Sequence, residues 1–276
     1  MPNGYHWDIE AIREFPQRGR FHSALFDFDG TISLIRQGWQ DVMKPYFTDV
    51  LLDTPQAGEL EEIRQCINDF VDLNTGKQTI YQCIALAEEV QKRGGRALAP
   101  QVYKDEYHRR LMDKIGHRIE RLEAGEADPA DFVVPGSFEL LEALRQKGMT
   151  LYLASGTDEQ YVLNEARLLG VTRYFNGGIY GAQDDFNLFS KKMIVNKIIK
   201  THSLHGSELM GFGDGYVEIE NVSEAGGFSV GVASDEECRC GIDAWKRDRL
   251  IKAGANIIIA DFSETDKLLN YIFPGV

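Results

Sequence analysis

Cysteine is scarce: the 276 residues contain four, Cys66, Cys83, Cys238 and Cys240. Their spacing fits no zinc motif, and Cys238-Arg239-Cys240 is too tight for an ordinary structural bridge, so free thiols in a reducing cytosol are expected. No apolar run approaches the ~20 residues that a membrane span needs. The first residues, Met-Pro-Asn-Gly-Tyr-His-Trp-Asp, hold no basic run followed by an apolar core, so no signal peptide is read there. Positive charge is also in deficit. Thirty Lys and Arg stand against 43 Asp and Glu, for a formal net charge of -13. That balance argues against nucleic acid or an anionic membrane surface as the main partner. It leaves room for a small anionic ligand, because local cations or a metal override the global field. Internal repeats and low-complexity tracts are absent as well. A soluble, cytoplasmic protein is the expectation.

What remains is an ordinary globular composition, 43% apolar and 26% charged, in a chain long enough for one or two domains. The chain is organised around Phe21 to Ile35. Phe21-His22-Ser23-Ala24-Leu25-Phe26 is short, apolar and aromatic, as a buried strand should be, and it runs into Asp27-Phe28-Asp29-Gly30-Thr31. Residues i and i+2 of an extended chain point the same way, so Asp27 and Asp29 can face one small volume. Two anions crowded at a strand end are costly unless a cation or a proton stabilises them.

Residues 1–20 read as an N-terminal extension with one short helix around 9–15. From 34 to 131 helical patterns dominate, over 38–52, 58–73, 77–93 and 100–123, and no strand interrupts them. In the second of these Leu60, Ile63, Ile67, Phe70 and Val71 recur at three- and four-residue steps and make one apolar face. From Val133 onward strands alternate with helices. Strands are predicted at 150–154, 177–181, 209–214, 228–232 and 256–260, and helices at 137–147, 159–169, 190–200 and 219–225. Alternation of this kind predicts an α/β fold, a doubly wound parallel sheet whose ligands sit beyond the carboxyl ends of the strands. Four strand-end features share that edge: Asp27 with Asp29, Ser155-Gly156-Thr157, a lysine at 191 or 192, and Asp214.

Asp27-Phe28-Asp29-Gly30-Thr31, Ser155, Lys191 and Gly213-Asp214-Gly215 resemble the four motifs of the haloacid dehalogenase-like superfamily, over nearly the whole chain apart from the extension. The resemblance implies a Rossmann-like catalytic core, 1–33 plus 132–276, and an all-helical cap over 34–131 inserted after the first strand. It also implies a phosphatase that works through an aspartyl-phosphate. Asp27 would be the nucleophile and Asp29 the general acid and base. Ser155, the Gly156 amide and Thr31 would bind the phosphoryl group, and Lys191 would offset its charge. Mg²⁺ would be held by Asp27, Asp214 and the main chain of Asp29. Lys191 is preferred to Lys192 because Ser190 can start the helix and aim the next side chain at the site. Glu218 stands where the family carries an aspartate; it would orient metal-bound water or Lys191, or else be a solvated first-turn residue. Arg36, Gln37 and Trp39 follow the first motif toward the pocket, although Trp39 suits the helical core, and Lys77, Arg93 and Arg96 read as solvated surface. The expected partner is a small phosphorylated metabolite such as a sugar phosphate or a phosphoglycolate-like acid. A phosphomutase of the same superfamily, or a regulatory module that keeps the site without turnover, are the alternatives. Oligomeric state is not legible.

Overall fold

The computed structural model describes residues 8–183, 185 and 189–275, so part of the N-terminal extension lies outside the described residues. Seven strands make one sheet: β1 (Glu10–Ala11), β2 (Ser23–Phe26), β3 (Thr150–Asp158), β4 (Gly178–Ala182), β5 (Leu209–Gly213), β6 (Phe228–Val232) and β7 (Ile257–Ile259). Their order across the sheet is β1-β7-β6-β5-β2-β3-β4. Every pairing from β7 to β4 is parallel, so all carboxyl ends from β2 to β7 lie on one edge. β2 lies at the middle of this run, and its four residues are buried, as its lack of apolar–polar alternation predicts. Registers Phe26↔Phe212 and Phe26↔Leu153 bring the ends of β2, β5 and β3 level.

Helices cover both faces. Leu25 packs with Ile194, Val195 and Ile198 of α7 (Lys191–His202) and Val222 of α8 (Tyr216–Glu224). Ala24 and Phe26 point the other way, into a cluster with Leu140, Leu141 and Leu144 of α5 (Ser137–Gln146), Val162 and Ala166 of α6 (Glu159–Leu168), and Leu268 and Ile272 of α10 (Thr265–Ile272). The alternation along β2 is the two-residue period of a strand made physical. α9 (Ala244–Ala253) packs beside α8 through Leu250 and Ile219. Neither α9 nor α10 is predicted from the sequence, because the charged run Lys246-Arg247-Asp248-Arg249 hides the single buried stripe of α9.

Between β2 and β3 the described residues form helices and no named strand: α1 (Gln40–Leu52), α2 (Leu60–Asn74), α3 (Ile80–Lys92) and α4 (Pro100–Glu123). Phe47, Leu51, Ile63, Val71, Leu86, Leu111 and Ile115 are fully buried among them. Their apolar cluster runs without a gap into that of the sheet.

The N-terminal segment corrects one expectation. In place of a helix over 9–15, β1 pairs antiparallel with β7 in the register Glu10↔Ile258 and Ala11↔Ile257. Ile12 N and Arg13 N both donate to Asn256 O, and Phe15 packs on Phe21 and Phe228. The segment closes a sheet edge that would otherwise present unpaired backbone groups. No helix among the described residues is long and apolar enough to cross a membrane.

Candidate active site

β2 ends at Phe26, and the chain turns sharply through Asp27-Phe28-Asp29-Gly30 into bonds from Thr31, Ile32 and Ser33 N back to Phe28 O. Gly30 has φ 75°, and a methyl group there would run into the Asp214 carboxylate. Glycine is therefore needed twice over, for the turn and for the close approach of β5.

Asp27 is 6% exposed. Its Oδ1 accepts from Phe28 N at 2.8 Å and faces Lys191 Nζ at 2.7 Å. No described residue bonds its Oδ2. Burial pushes the Asp27 carboxyl well up, Lys191 opposes that, and Glu218 and Asp214 add to the rise. Burial pulls the Lys191 ammonium down, but Asp27 and then Glu218 outweigh it and hold it above its ordinary value.

Lys191 opens α7 because Ser190 caps that helix, its hydroxyl accepting from Met193 N at 3.2 Å. The first side chain is thus directed inward, and Lys191 is 4% exposed. Lys192 points outward to Glu224. Lys191 Nζ also donates to Glu218 Oε2 at 2.8 Å, while Glu218 Oε1 accepts from Gly215 N at 2.8 Å. Glu218 therefore caps α8 and starts it a turn earlier than expected. It is fully buried, which removes the solvated first-turn alternative.

The two oxygens of Asp29 have different surroundings. Oδ2 accepts from Ser155 Oγ at 3.1 Å and Thr157 Oγ1 at 2.9 Å. Oδ1 is buried without a hydrogen-bond partner, 3.9 Å from Arg36 Nε. The Arg36 guanidinium is fixed by Glu165 of α6, with Nη2 at 2.6 Å from Oε1. Ser155, expected at the phosphoryl group, is in this structure held between Asp29 and Thr157 N. Thr31 departs further from expectation. It is fully buried, donates to Asp214 Oδ1 at 3.3 Å and accepts from Asp214 N at 2.9 Å, so it fixes β5's aspartate and does not line the cavity.

These groups surround a cavity of about 100 Å³ whose walls include Asp27, Asp29, Lys191, Asp214, Ser155 and Gly156 from the sheet edge. Trp39, Met43, Lys77, Gln82 and Tyr107 line it from the helices over 40–123 and their loops. Gly156 lies directly beneath Lys77, whose carbonyl a methyl at 156 would strike, and Thr79 N donates to Gly156 O at 3.4 Å. Lys77 thus lines the cavity instead of lying on solvated surface, and Trp39 is a wall as well as a packing residue. Gln37 turns away to the Glu236 carbonyl at 2.9 Å, and Arg93 pairs with Glu89.

Asp27, Asp214 and Glu218 each bring a carboxylate oxygen within 4.8 Å of the others. Hard oxygen ligands that close together suit a small divalent cation, which would offset both the burial that raises Asp27 and the repulsion that adds to it. The sequence places Thr157 in a strand-end feature without giving it a role, and it does not point to Glu165, Glu236 or Lys246. Thr157 had a usable signal, since it stands two residues from Ser155 and so shares its face, as Asp27 and Asp29 do. The other three reach the site from remote loops and helices and carry no local mark.

Carboxylates thus stand at the ends of the adjacent parallel strands β2 and β5, and a buried lysine joins the first of them to Glu218 of α8. A family model described as haloacid dehalogenase-like hydrolase matches residues 22–226, and the chain belongs to that family. A 5'-nucleotidase from Pseudomonas aeruginosa is 24% identical over 224 residues, 80% of this chain and 88% of the relative. Among solved structures, a β-phosphoglucomutase from Clostridium difficile is similar with a TM-score of 0.60 at 16% identity, covering 91% of this chain and 99% of that one. A predicted phosphoglycolate phosphatase from Haemophilus somnus gives 0.59 at 17%, covering 90% and 98%. A hydrolase of the family from Deinococcus radiodurans, solved with phosphate and sodium bound, gives 0.52 at 15%, covering 92% and 97%. These structural likenesses concern the fold.

Proposed function

We propose that the protein is a Mg²⁺-dependent phosphatase that hydrolyses a small phosphomonoester through an aspartyl-phosphate. The observation that carries this reading is the division of labour between Asp27 and Asp29. Asp27 is clamped through Oδ1 by Lys191 and Phe28 N, which orients the carboxylate as a nucleophile. Asp29 is clamped through Oδ2, and its Oδ1 makes no hydrogen bond and lies 3.9 Å from Arg36 Nε, which leaves one oxygen for a proton to join and leave.

In the first half-reaction an Asp27 oxygen bonds to phosphorus as the bond to the leaving oxygen breaks, and Asp29 gives that oxygen its proton. In the second, Asp29 takes a proton from water, the water oxygen bonds to phosphorus, the bond to Asp27 breaks, and inorganic phosphate leaves. Lys191 offsets charge on the phosphoryl oxygens in both halves. Asp27, Asp214 and the Asp29 main chain would hold Mg²⁺, which supplies charge neutralisation at the phosphoryl group. We assign Glu218 to Lys191 first, because one of its oxygens is on that lysine and the other caps α8.

The four-helix segment would serve as a cap that excludes water and reads the leaving group. A cavity of about 100 Å³ falls well below the ~300–1,000 Å³ of typical ligand sites, which favours a leaving group of a few heavy atoms. A 5'-nucleotide, named for the Pseudomonas relative, would need the loop carrying Lys77 to lift off Gly156. The test is phosphate release from a metabolite panel with and without Mg²⁺. Short phosphorylated acids and sugars are expected to exceed nucleotides, and Asp27→Asn should lower turnover by at least about 10³-fold with an unchanged thermal midpoint. No metal-dependent turnover across the panel, or substantial activity in the Asn variant, removes the reading.

A further inference from the structure

Beyond the motif residues, the site contains a second buried lysine. Lys246, in the first turn of α9, is 9% exposed, and its Nζ lies 3.0 Å from Asp214 Oδ2, 2.6 Å from Glu236 Oε1 and 3.5 Å from Ser234 Oγ. An ammonium has three donors, so this one is fully committed. Asp214 is committed with it: Oδ2 is on Lys246, Oδ1 and the main-chain N are on Thr31, and Gly30 packs against the carboxylate.

We propose that Lys246, anchored by Glu236, is a positioning residue that fixes the Asp214 carboxylate and thereby sets the affinity of the site for a divalent cation. The inference rests on the Mg²⁺ reading above. Two features argue for it over a structural ion pair. The first is charge. Lys191 and Lys246 offset two of the carboxylates Asp27, Asp214, Glu218 and Glu236, and Asp29 lines the same cavity, so negative charge remains there for a cation to match. Without Lys246, Glu236 would stand as an uncompensated, partly buried anion beside Asp214, free to repel it from its place.

The second feature is the rigidity of the support. The loop that carries Glu236 is tied down at several points. Ser234 Oγ donates to Gly30 O at 3.0 Å, Gln37 Nε2 donates to Glu236 O at 2.9 Å, and Asp235 Oδ1 accepts from Glu237 N and Cys238 N. Arg239, with φ 52°, spends its guanidinium on the carbonyls of Ala130, Asp131 and Val133. Gln37 and residues 130–133 lie on the two connections between the sheet and the helices over 40–123. Lys246 is thus braced from both connections, as an outer-shell group that orients a metal ligand needs to be.

The experiment is titration calorimetry of Mg²⁺ into chelator-stripped protein, comparing the parent with K246M, K246R, E236Q and the double variant K246M/E236Q. The parent should bind one Mg²⁺ per chain. K246M should bind it about 10- to 100-fold more weakly, the usual effect of losing an outer-shell partner, and K246R should recover most of the affinity. E236Q should weaken binding in the same direction as K246M. In turnover assays K246M should regain kcat as Mg²⁺ is raised. The double variant removes the Glu236 charge that K246M alone would leave unpaired and so guards against misfolding of K246M; it should still bind weakly. Parent-like affinity in folded K246M or in the double variant overturns the proposal, and tighter binding does so too, because Lys246 would then be a competitor for Asp214. No binding to the parent itself sinks the Mg²⁺ reading on which the proposal stands, a result distinct from either of these.

Discussion

At the level of single atoms, the protein holds its strand-end carboxylates by their oxygens, one each of Asp27 and Asp29 and both of Asp214. Asp27 Oδ1 is on Lys191 and Phe28 N, Asp29 Oδ2 is on Ser155 and Thr157, and Asp214 Oδ2 is on Lys246. The arrangement restricts rotation of the groups that, on the proposed function, would meet phosphorus, proton and cation in fixed directions. Thr157 shows the consequence most directly. Its hydroxyl is one of two that hold Asp29, and a hydrogen bond to a charged group is worth about 1.5–3 kcal/mol. Thr157→Val should therefore lower kcat roughly 10- to 100-fold with little change in KM, because the bond aligns the proton donor and does not bind substrate. Steady-state kinetics on the best panel substrate decides it; an unaltered kcat would mean that Ser155 alone suffices.

At the level of elements, α4 is fastened to the sheet side of the cavity by two adjacent contacts, and Arg36, from the connection before α1, adds a third on the same ring. Lys104 pairs with Asp158 at 2.5 Å, His108 stacks on Tyr161 with ring centroids 4.2 Å apart, and Arg36 lies over the same Tyr161 ring while it pairs with Glu165. Burial holds His108 below its ordinary value, Arg36 and Lys104 push the same way, and Asp158 and Asp105 oppose them. The folded form thus binds a proton less readily than the unfolded chain does. The stability this contributes is complete above about pH 6.5 and is lost as the pH falls toward the depressed folded value. Denaturant unfolding between about pH 5 and 8 should show the parent losing stability on the acid side, with a shallower loss in His108→Phe, which keeps the stack and removes the titration. Equal slopes for the two proteins would assign the acid loss to other groups.

On the scale of the whole molecule, the loop between α2 and α3 closes the cavity against the sheet edge at Gly156. That residue is not in the left-handed region; it is glycine because the Lys77 carbonyl leaves no room for a side chain. Gly156→Ala should push the loop away and open the site to water. We expect kcat/KM to fall at least about tenfold, since small misplacements at a reacting centre are costly, with helix content by circular dichroism unchanged. Unaltered kinetics would mean that the loop is not in place during the reaction. On the proposed function the same contact would tie specificity to closure, because Lys77 and Gln82, which line the cavity, come with the loop and the helix after it.

Much of this was determined by the sequence alone. The strand before Asp27, the i and i+2 spacing of Asp27 and Asp29, the glycine after them, the βα alternation from Val133 onward and the strand-free stretch from 34 to 131 are local patterns, and local patterns imply local structure. They predicted the parallel sheet and five of the groups at its edge: Asp27, Asp29, Ser155, Asp214 and a lysine at 191 or 192. Only the tertiary structure decided which partner each polar atom takes. Thr31 and Glu218 turned out to be bonded to Asp214 and Lys191, β1 formed because β7 offered an open edge, and Glu165, Glu236 and Lys246 arrived from elements with no motif of their own. Such contacts join residues dozens to hundreds of positions apart, so no spacing along the chain encodes them. They follow from the requirement that every buried charge and donor find a partner once the sheet and helices have closed around it.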